Sequence, residues 1–220
     1  MSGSDGPVVH VVDDDDAVRA ALCVLLESVS MEVRPYASAA EFLDAATPDL
    51  CGCLILDVRM PGMGGLELQQ VLRERGIRLP VIIITGHGDV PMAVRAMKAG
   101  ALDFLLKPFN EQELLDRIQV CVETDAAARR EQQQRHEAAQ RFASLSRRER
   151  EVLALLMTGR HNKAIAFELG ISEKTVDVHR FNIMRKTGTR GLPELIQLRL
   201  RAGELPDSPG AGKDSFKLSK

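Results

Sequence analysis

Asp13, Asp14, Asp57, Thr85 and Lys107 stand far apart in the chain, yet each lies at or just past the C-terminal end of a short apolar run. If those runs are parallel strands, their carboxyl ends form one crevice, and that edge is where open α/β sheets bind ligands. The crevice would then hold three carboxylates, a hydroxyl and an ammonium. Three carboxylates in one place repel and call for a divalent cation. All the candidate ligands are oxygens, so Mg²⁺ (or Mn²⁺) is the natural choice. A carboxylate such as Asp57 can attack a phosphoryl group and become an aspartyl phosphate. The protein has then only to align the partners and neutralise the equatorial oxygens, a task that suits Lys107 and the Thr85 hydroxyl.

The elements that must position these residues are legible from periodicity and caps. Apolar runs at 8–12, 32–35, 53–56, 81–85 and 102–106 read as strands. Helical patterns at 17–28, after Ser38, at 66–75, at 90–98 and from Glu111 onward alternate with them. Ser38 with Glu41 three residues on is a capping signature. Five strands interleaved with helices predict a doubly wound five-stranded parallel sheet of α/β, flavodoxin-like type. Asp15 and Asp16 suit the start of the first helix better than a ligand role. Pro61-Gly62 and Gly64-Gly65 shape a turn, since no phosphate-cradling G-x-x-x-x-G-K-[ST] pattern exists.

Beyond Thr124 the composition changes. Residues 125–141 are rich in Ala, Arg, Glu and Gln and predict a charged helical linker, open to being continuous with the helix that starts at Glu111. Four helices follow, at 147–158, 162–169, 173–187 and 192–201, in an all-α domain spanning 142–203. Gly170 separates the second helix from the third, and Ser172 caps the third, a helix-turn-helix pattern. The third helix offers Lys174, Thr175, Val178, His179, Arg180, Arg185 and Lys186 to a DNA major groove, although Asp177 puts an acid among them. Residues 204–220, rich in Pro, Gly and Ser, predict a disordered tail.

The formal net charge of -2 conceals a division. Residues 1–125 carry 10 Lys and Arg against 20 Asp and Glu, whereas 142–203 carry 12 against 6. An acidic half suits a cation and a basic half suits a polyphosphate. The cysteines Cys23, Cys51, Cys53 and Cys121 lack paired metal-ligand spacing and read as small buried hydrophobes. No apolar run approaches the roughly 20 residues that cross a bilayer. Met1–Gly6 lacks a signal-peptide pattern, so a cytoplasmic protein without membrane contact is expected.

VVHVVDDDDAVR, LILDVRMPGMGGLEL, VIIITGHGDVPMAVRAMKAGA and DFLLKPF resemble the signature blocks of two-component receiver domains over residues 8–124. LSRREREVLALLMTGRHNKAIAFELGISEKTVDVHRFNIMRKTG resembles the LuxR-type output domain. Together the halves resemble the NarL/FixJ response regulators, with GHGDVPMA leaning to the FixJ side. The resemblance implies Asp57 as phosphoacceptor, receiving phosphate from a sensor histidine kinase. It implies Asp13, Asp14 and the Arg59 backbone carbonyl as further metal contacts and Thr85 with Phe104 as a switch pair. It also implies a cis bond between Lys107 and Pro108, and Arg59 with His87 beside the pocket. The remodelled face around Val90, Ala93, Met97 and Leu102 would form a homodimer on phosphorylation. The protein would then regulate promoters, by activation with RNA polymerase, and would not be an enzyme. Two rivals stand beside this. One is a phosphorylation-independent transcription factor with a vestigial receiver. The other is a phosphoryl hydrolase, which needs an acid/base aspartate where position 59 carries Arg.

Overall fold

The computed structural model describes residues 7–86 and 88–203. The expected tail at 204–220, the first six residues and His87 lie outside that range. The chain divides into two compact units, with the division between Arg129 and Arg130.

In the first unit β1 (Val8–Val12), β2 (Glu32–Tyr36), β3 (Gly52–Asp57), β4 (Val81–Thr85) and β5 (Asp103–Leu106) form a parallel sheet of order β2-β1-β3-β4-β5. The central strands β1, β3 and β4 are buried throughout, which explains their unbroken apolar runs. Their alternate residues feed two cores. Val12, Leu54, Leu56 and Ile83 pack toward α2 (Ala39–Ala45) and α3 (Gly65–Glu74). Val9, Val11, Ile55 and Ile82 pack toward α1 (Asp16–Ser28) and Leu114, Ile118 and Cys121 of α5 (Glu111–Ala143). α4 (Val90–Lys98) adds Ala96 to the first core. Cys53 and Cys121 are fully buried, and Cys23 and Cys51 are half-buried; all four are free thiols. Burial and a hydrogen bond with Cys121 push the Cys53 thiol well up, as befits a core residue.

Capping sets the helix starts. The Asp15 carboxylate accepts from the N–H groups of Ala17 and Val18, so it is a cap. Asp89 does the same for Met92, and Ser38 for Glu41. The segment expected as a helical linker continues α5, a single helix of 33 residues. Pairs one turn apart support it, among them Arg129 with Asp125 and Arg135 with Glu131. Asp125 also accepts from the Gly52 N–H at 2.9 Å, which ties the helix to the start of β3.

The second unit contains α6 (Arg147–Met157), α7 (Asn162–Leu169), α8 (Glu173–Thr187) and α9 (Leu192–Arg201). Val152, Leu156, Ile165, Val176, Ile183 and Leu195 form its core with Phe142 and Leu145. α7 ends on Gly170 in a left-handed turn, and Ser172 caps α8 through the Thr175 N–H. Among the described residues no helix is long and apolar enough to cross a membrane.

Candidate functional site

The strand order reverses direction between β1 and β3, and the candidate site lies at the carboxyl ends of those two strands. Val12 is paired with Leu56, which brings Asp13 and Asp57 side by side. Asp57 is paired with Ile84 and Thr85 with Leu106, so Thr85 and Lys107 complete the rim. Asp13, Asp57 and Thr85 are all buried. The Lys107 Nζ donates to Asp13 Oδ2 at 2.6 Å and to Asp57 Oδ1 at 2.9 Å. The backbone of Lys107 donates to the Thr85 carbonyl at 2.8 Å, and the Lys107-Pro108 bond is cis.

The loop after β3 holds Asp57 from the other side. The Arg59 N–H donates to Asp57 Oδ2 at 2.6 Å. The Gly65 N–H donates to the Val58 carbonyl, and a Cβ at Gly65 would stand 2.2 Å from the Asp57 carbonyl oxygen. Only glycine lets the start of α3 press so close on the backbone of Asp57. Arg19 Nη1 donates to the Asp13 carbonyl at 2.6 Å, which fixes the other wall.

Burial pushes the Asp57 carboxyl up, against the lowering effect of Lys107 and the Arg59 N–H, and the Asp13 charge adds to the rise. Burial alone would lower the Lys107 ammonium, but Asp13 and Asp57 outweigh it and raise it. One ammonium between two carboxylates leaves net negative charge in a desolvated place. The buried carboxylates of Asp13 and Asp57 offer only oxygen donors, so these residues fit a hard divalent cation. Asp14 is exposed in the bend that follows β1, and among the described residues no three Asp, Glu, His or Cys side chains converge as a metal-ligand group.

Phe104 is half-buried on the other side of β5 from the core of α1 and α5. Its ring lies against the loop before α4, where a Cβ at Gly88 would come within 2.8 Å of Phe104 Cζ and 2.6 Å of Leu106 Cδ2. A cavity of about 490 Å³ opens there, lined by Val90, Ala93, Phe104, Leu106, Glu113 and Arg117. Val90, Val94, Met97 and Leu106 are exposed on this face. Leu102, expected with them, instead packs against the core of α1 and α5; it precedes β5 and lies outside that strand's alternation.

Of the candidate DNA contacts on α8, Lys174, Thr175, Val178 and Arg185 are exposed. Two others are held by partners within the domain, although Lys186 is also exposed. Arg180 Nη1 donates to Asn162 Oδ1 at 2.7 Å. Lys186 Nζ donates to Glu149 Oε2 at 2.7 Å, inside the Ser146–Glu149 capping box of α6. His179 is half-buried. Asp177 does not present a free acid, since Asn162 Nδ2 donates to it. Phe181, absent from the sequence-based set, is exposed on the same helix. The spacing of Lys174, Val178, Phe181 and Arg185, one face of a helix, was the signal that could have found it.

Residues 9–119 match the response regulator receiver domain, and residues 143–199 match the bacterial regulatory proteins of the luxR family. The chain belongs to the NarL/FixJ family of response regulators. It is 50% identical over 198 residues to the transcriptional regulatory protein FixJ of Azorhizobium caulinodans, covering 90% of this chain and 94% of that one. It is 46% identical to the response regulator protein TodT of Pseudomonas putida, covering 88% of this chain and 86% of TodT. Among solved structures it resembles the response regulator StyR, with 48% identity, a TM-score of 0.84, and 89% of this chain and 99% of StyR covered. Full-length FixJ from B. japonicum gives 44% identity and a TM-score of 0.55, covering 90% of this chain and 98% of that one. This NarL/FixJ regulator therefore joins a receiver to a LuxR-type DNA-binding domain, the organisation of transcriptional response regulators.

Proposed function

We propose that Asp57 accepts a phosphoryl group from a sensor histidine kinase and that this modification controls promoter binding by the LuxR-type domain. The observation that carries the proposal is the bridge of Lys107 between Asp13 and Asp57 at the sheet's switch point. An Asp57 carboxylate oxygen bonds to phosphorus as the P–N bond of the donor phosphohistidine breaks and the imidazole leaves. Asp13, Asp57 and the Arg59 carbonyl, with Asp14 alongside, would hold a Mg²⁺ or Mn²⁺ ion, which when bound neutralises charge on the phosphoryl oxygens. Lys107 already reaches Asp57 and exchanges part of that contact for the phosphoryl group. The added charge draws the Thr85 hydroxyl, and Phe104 follows into the space released. Phe104 lines the groove with the exposed Val90 and Leu106, so its movement reshapes a face suited to a homodimer. The dimer then presents two recognition helices to promoter DNA, where RNA polymerase is activated.

The test measures phosphate incorporation, oligomeric state and DNA affinity of the full chain with and without a small acyl phosphate plus Mg²⁺, alongside Asp57→Ala. Incorporation, dimer and tighter binding together, all absent in the variant, are the expected result. Equal DNA binding in every condition would establish a phosphorylation-independent factor instead.

A further inference from the structure

Two of the four cations of α8 that look like DNA contacts in the sequence, Arg180 and Lys186, are held by partners within the domain. Asn162 holds Arg180 and Asp177, and Glu149 holds Lys186. The Thr175 hydroxyl is within 2.8 Å of the Ser172 hydroxyl at the helix start. Glu173, Thr175, Asp177 and Lys186 are exposed as well, and in the middle of this solvent-facing side runs a stripe of Lys174, Val178, Phe181 and Arg185. At 3.6 residues per turn these four fall within an arc of about 60°. Its middle is apolar: Val178 is 53% exposed and Phe181 65%. The Arg185 guanidinium lies over the Phe181 ring, 5.8 Å from its centroid, and so braces one face of it.

An aromatic ring and a valine left in water between two cations suit a surface that is anionic at its edges and apolar at its centre. The major groove of a duplex has that pattern: phosphates along both rims and, on its floor, the C5-methyl group of each thymine. Lys174 and Arg185 bracket the pair along the helix axis and match the rims. Resting on the proposed promoter binding, we propose that Val178 and Phe181 are the specificity-determining residues of this protein, and that they select thymine through its methyl group. Arg185 orients the Phe181 ring and Lys174 supplies a sequence-independent phosphate contact. Arg180 and Lys186 hold α8 on α7 and α6 and read no base.

The test uses the full chain with a small acyl phosphate and Mg²⁺. Its preferred sites are selected from a pool of random duplexes, and the best is resynthesised with deoxyuridine replacing thymidine one position at a time. Deoxyuridine keeps every hydrogen-bonding group and lacks only the methyl. Wild type should lose roughly fourfold in affinity at one or two positions in each half-site. Phe181→Ala should lose a similar factor on the thymine duplex and no longer distinguish thymine from uracil there. Phe181→Leu should keep part of the discrimination. Lys174→Ala should weaken all duplexes alike and reduce the dependence on salt. Wild type that is blind to every methyl, or Phe181→Ala that still discriminates at the same positions, overturns the proposal and leaves DNA binding standing. A pool from which no duplex is enriched overturns both.

Discussion

Lys107 and Lys186 each reach a buried carboxylate at nearly the same distance, 2.9 Å to Asp57 in the receiver and 2.7 Å to Glu149 in the DNA-binding unit. The two carboxylates respond in opposite senses. Burial pushes Asp57 up and its single cation, shared with Asp13, does not reverse the rise. Burial also pushes Glu149 up, but hydrogen bonds from Lys186 and from the backbone and hydroxyl of Ser146 outweigh it and hold the group low. The Glu149 pair is complete, with one charge for one charge and a satisfied capping box, and it does structural work. The Asp57 site is short of positive charge and so suits a cation and a phosphoryl group. Ion-pair distance by itself does not tell such sites apart; the count of partners does.

Acid should separate the two regions most. His10 is buried on β1, beside Tyr36 and Phe42. Burial first, with the Arg34 charge adding and Cys51 and Glu32 opposing, lowers its imidazole from 6.5 to about 4. The unfolded chain takes up a proton that the folded receiver refuses, so receiver stability falls as pH drops from 6.5 toward 4. The loss amounts to about 3 kcal/mol over that window. Tyr36 is the one tyrosine in a chain without tryptophan, so its fluorescence during urea unfolding reports the receiver. His10→Phe should remove most of the difference between pH 7 and pH 4.5; an undiminished difference would assign the acid lability elsewhere.

Glu149→Ala should cost the DNA-binding unit about 2 kcal/mol, through the lost cap and the stranded Lys186. Hydrogen exchange in α6 and α8 should accelerate while the Tyr36 transition stays put. Because its carboxyl is held low, the contribution of Glu149 is present above its ordinary value of 4.5 and is lost as pH falls through its folded value. Unchanged exchange in the variant would mean that the completed pair does no structural work.

Asp57 has the reverse sign and the smallest effect. A raised carboxyl favours the fold when protonated, and that contribution is gone once pH rises through the folded value. At pH 7 the ionised group therefore works against the receiver. Asp57→Asn should leave the Tyr36 urea transition unchanged or move it to higher urea. A clear destabilisation would show that Lys107 compensates Asp57 as fully as Lys186 compensates Glu149.

Much of this was legible in the sequence because it is local. The strand runs at 8–12 and 81–85 and the helices at 90–98, 162–169 and 173–187 coincide with β1, β4, α4, α7 and α8. Periodicity and caps act over a few residues and leave their mark in the chain. Helical propensity alone left open whether residues 125–141 form a linker of their own or continue α5, and they continue it. Which charges on α8 are free was also hidden. Arg180 is tied to a residue 18 positions away and Lys186 to one 37 positions away, and basic side chains look alike until their partners are known.

The sequence by itself determined the order of elements, the charge division and the residue types that end each strand, because these follow from the pattern along the chain. Only the tertiary structure decided that Lys107 spans Asp13 and Asp57, that Arg180 and Lys186 find partners on α7 and α6, and that Phe181 stands uncovered. Those outcomes depend on which distant groups meet and which are left to solvent, and that is fixed by strand order and helix packing across the whole unit.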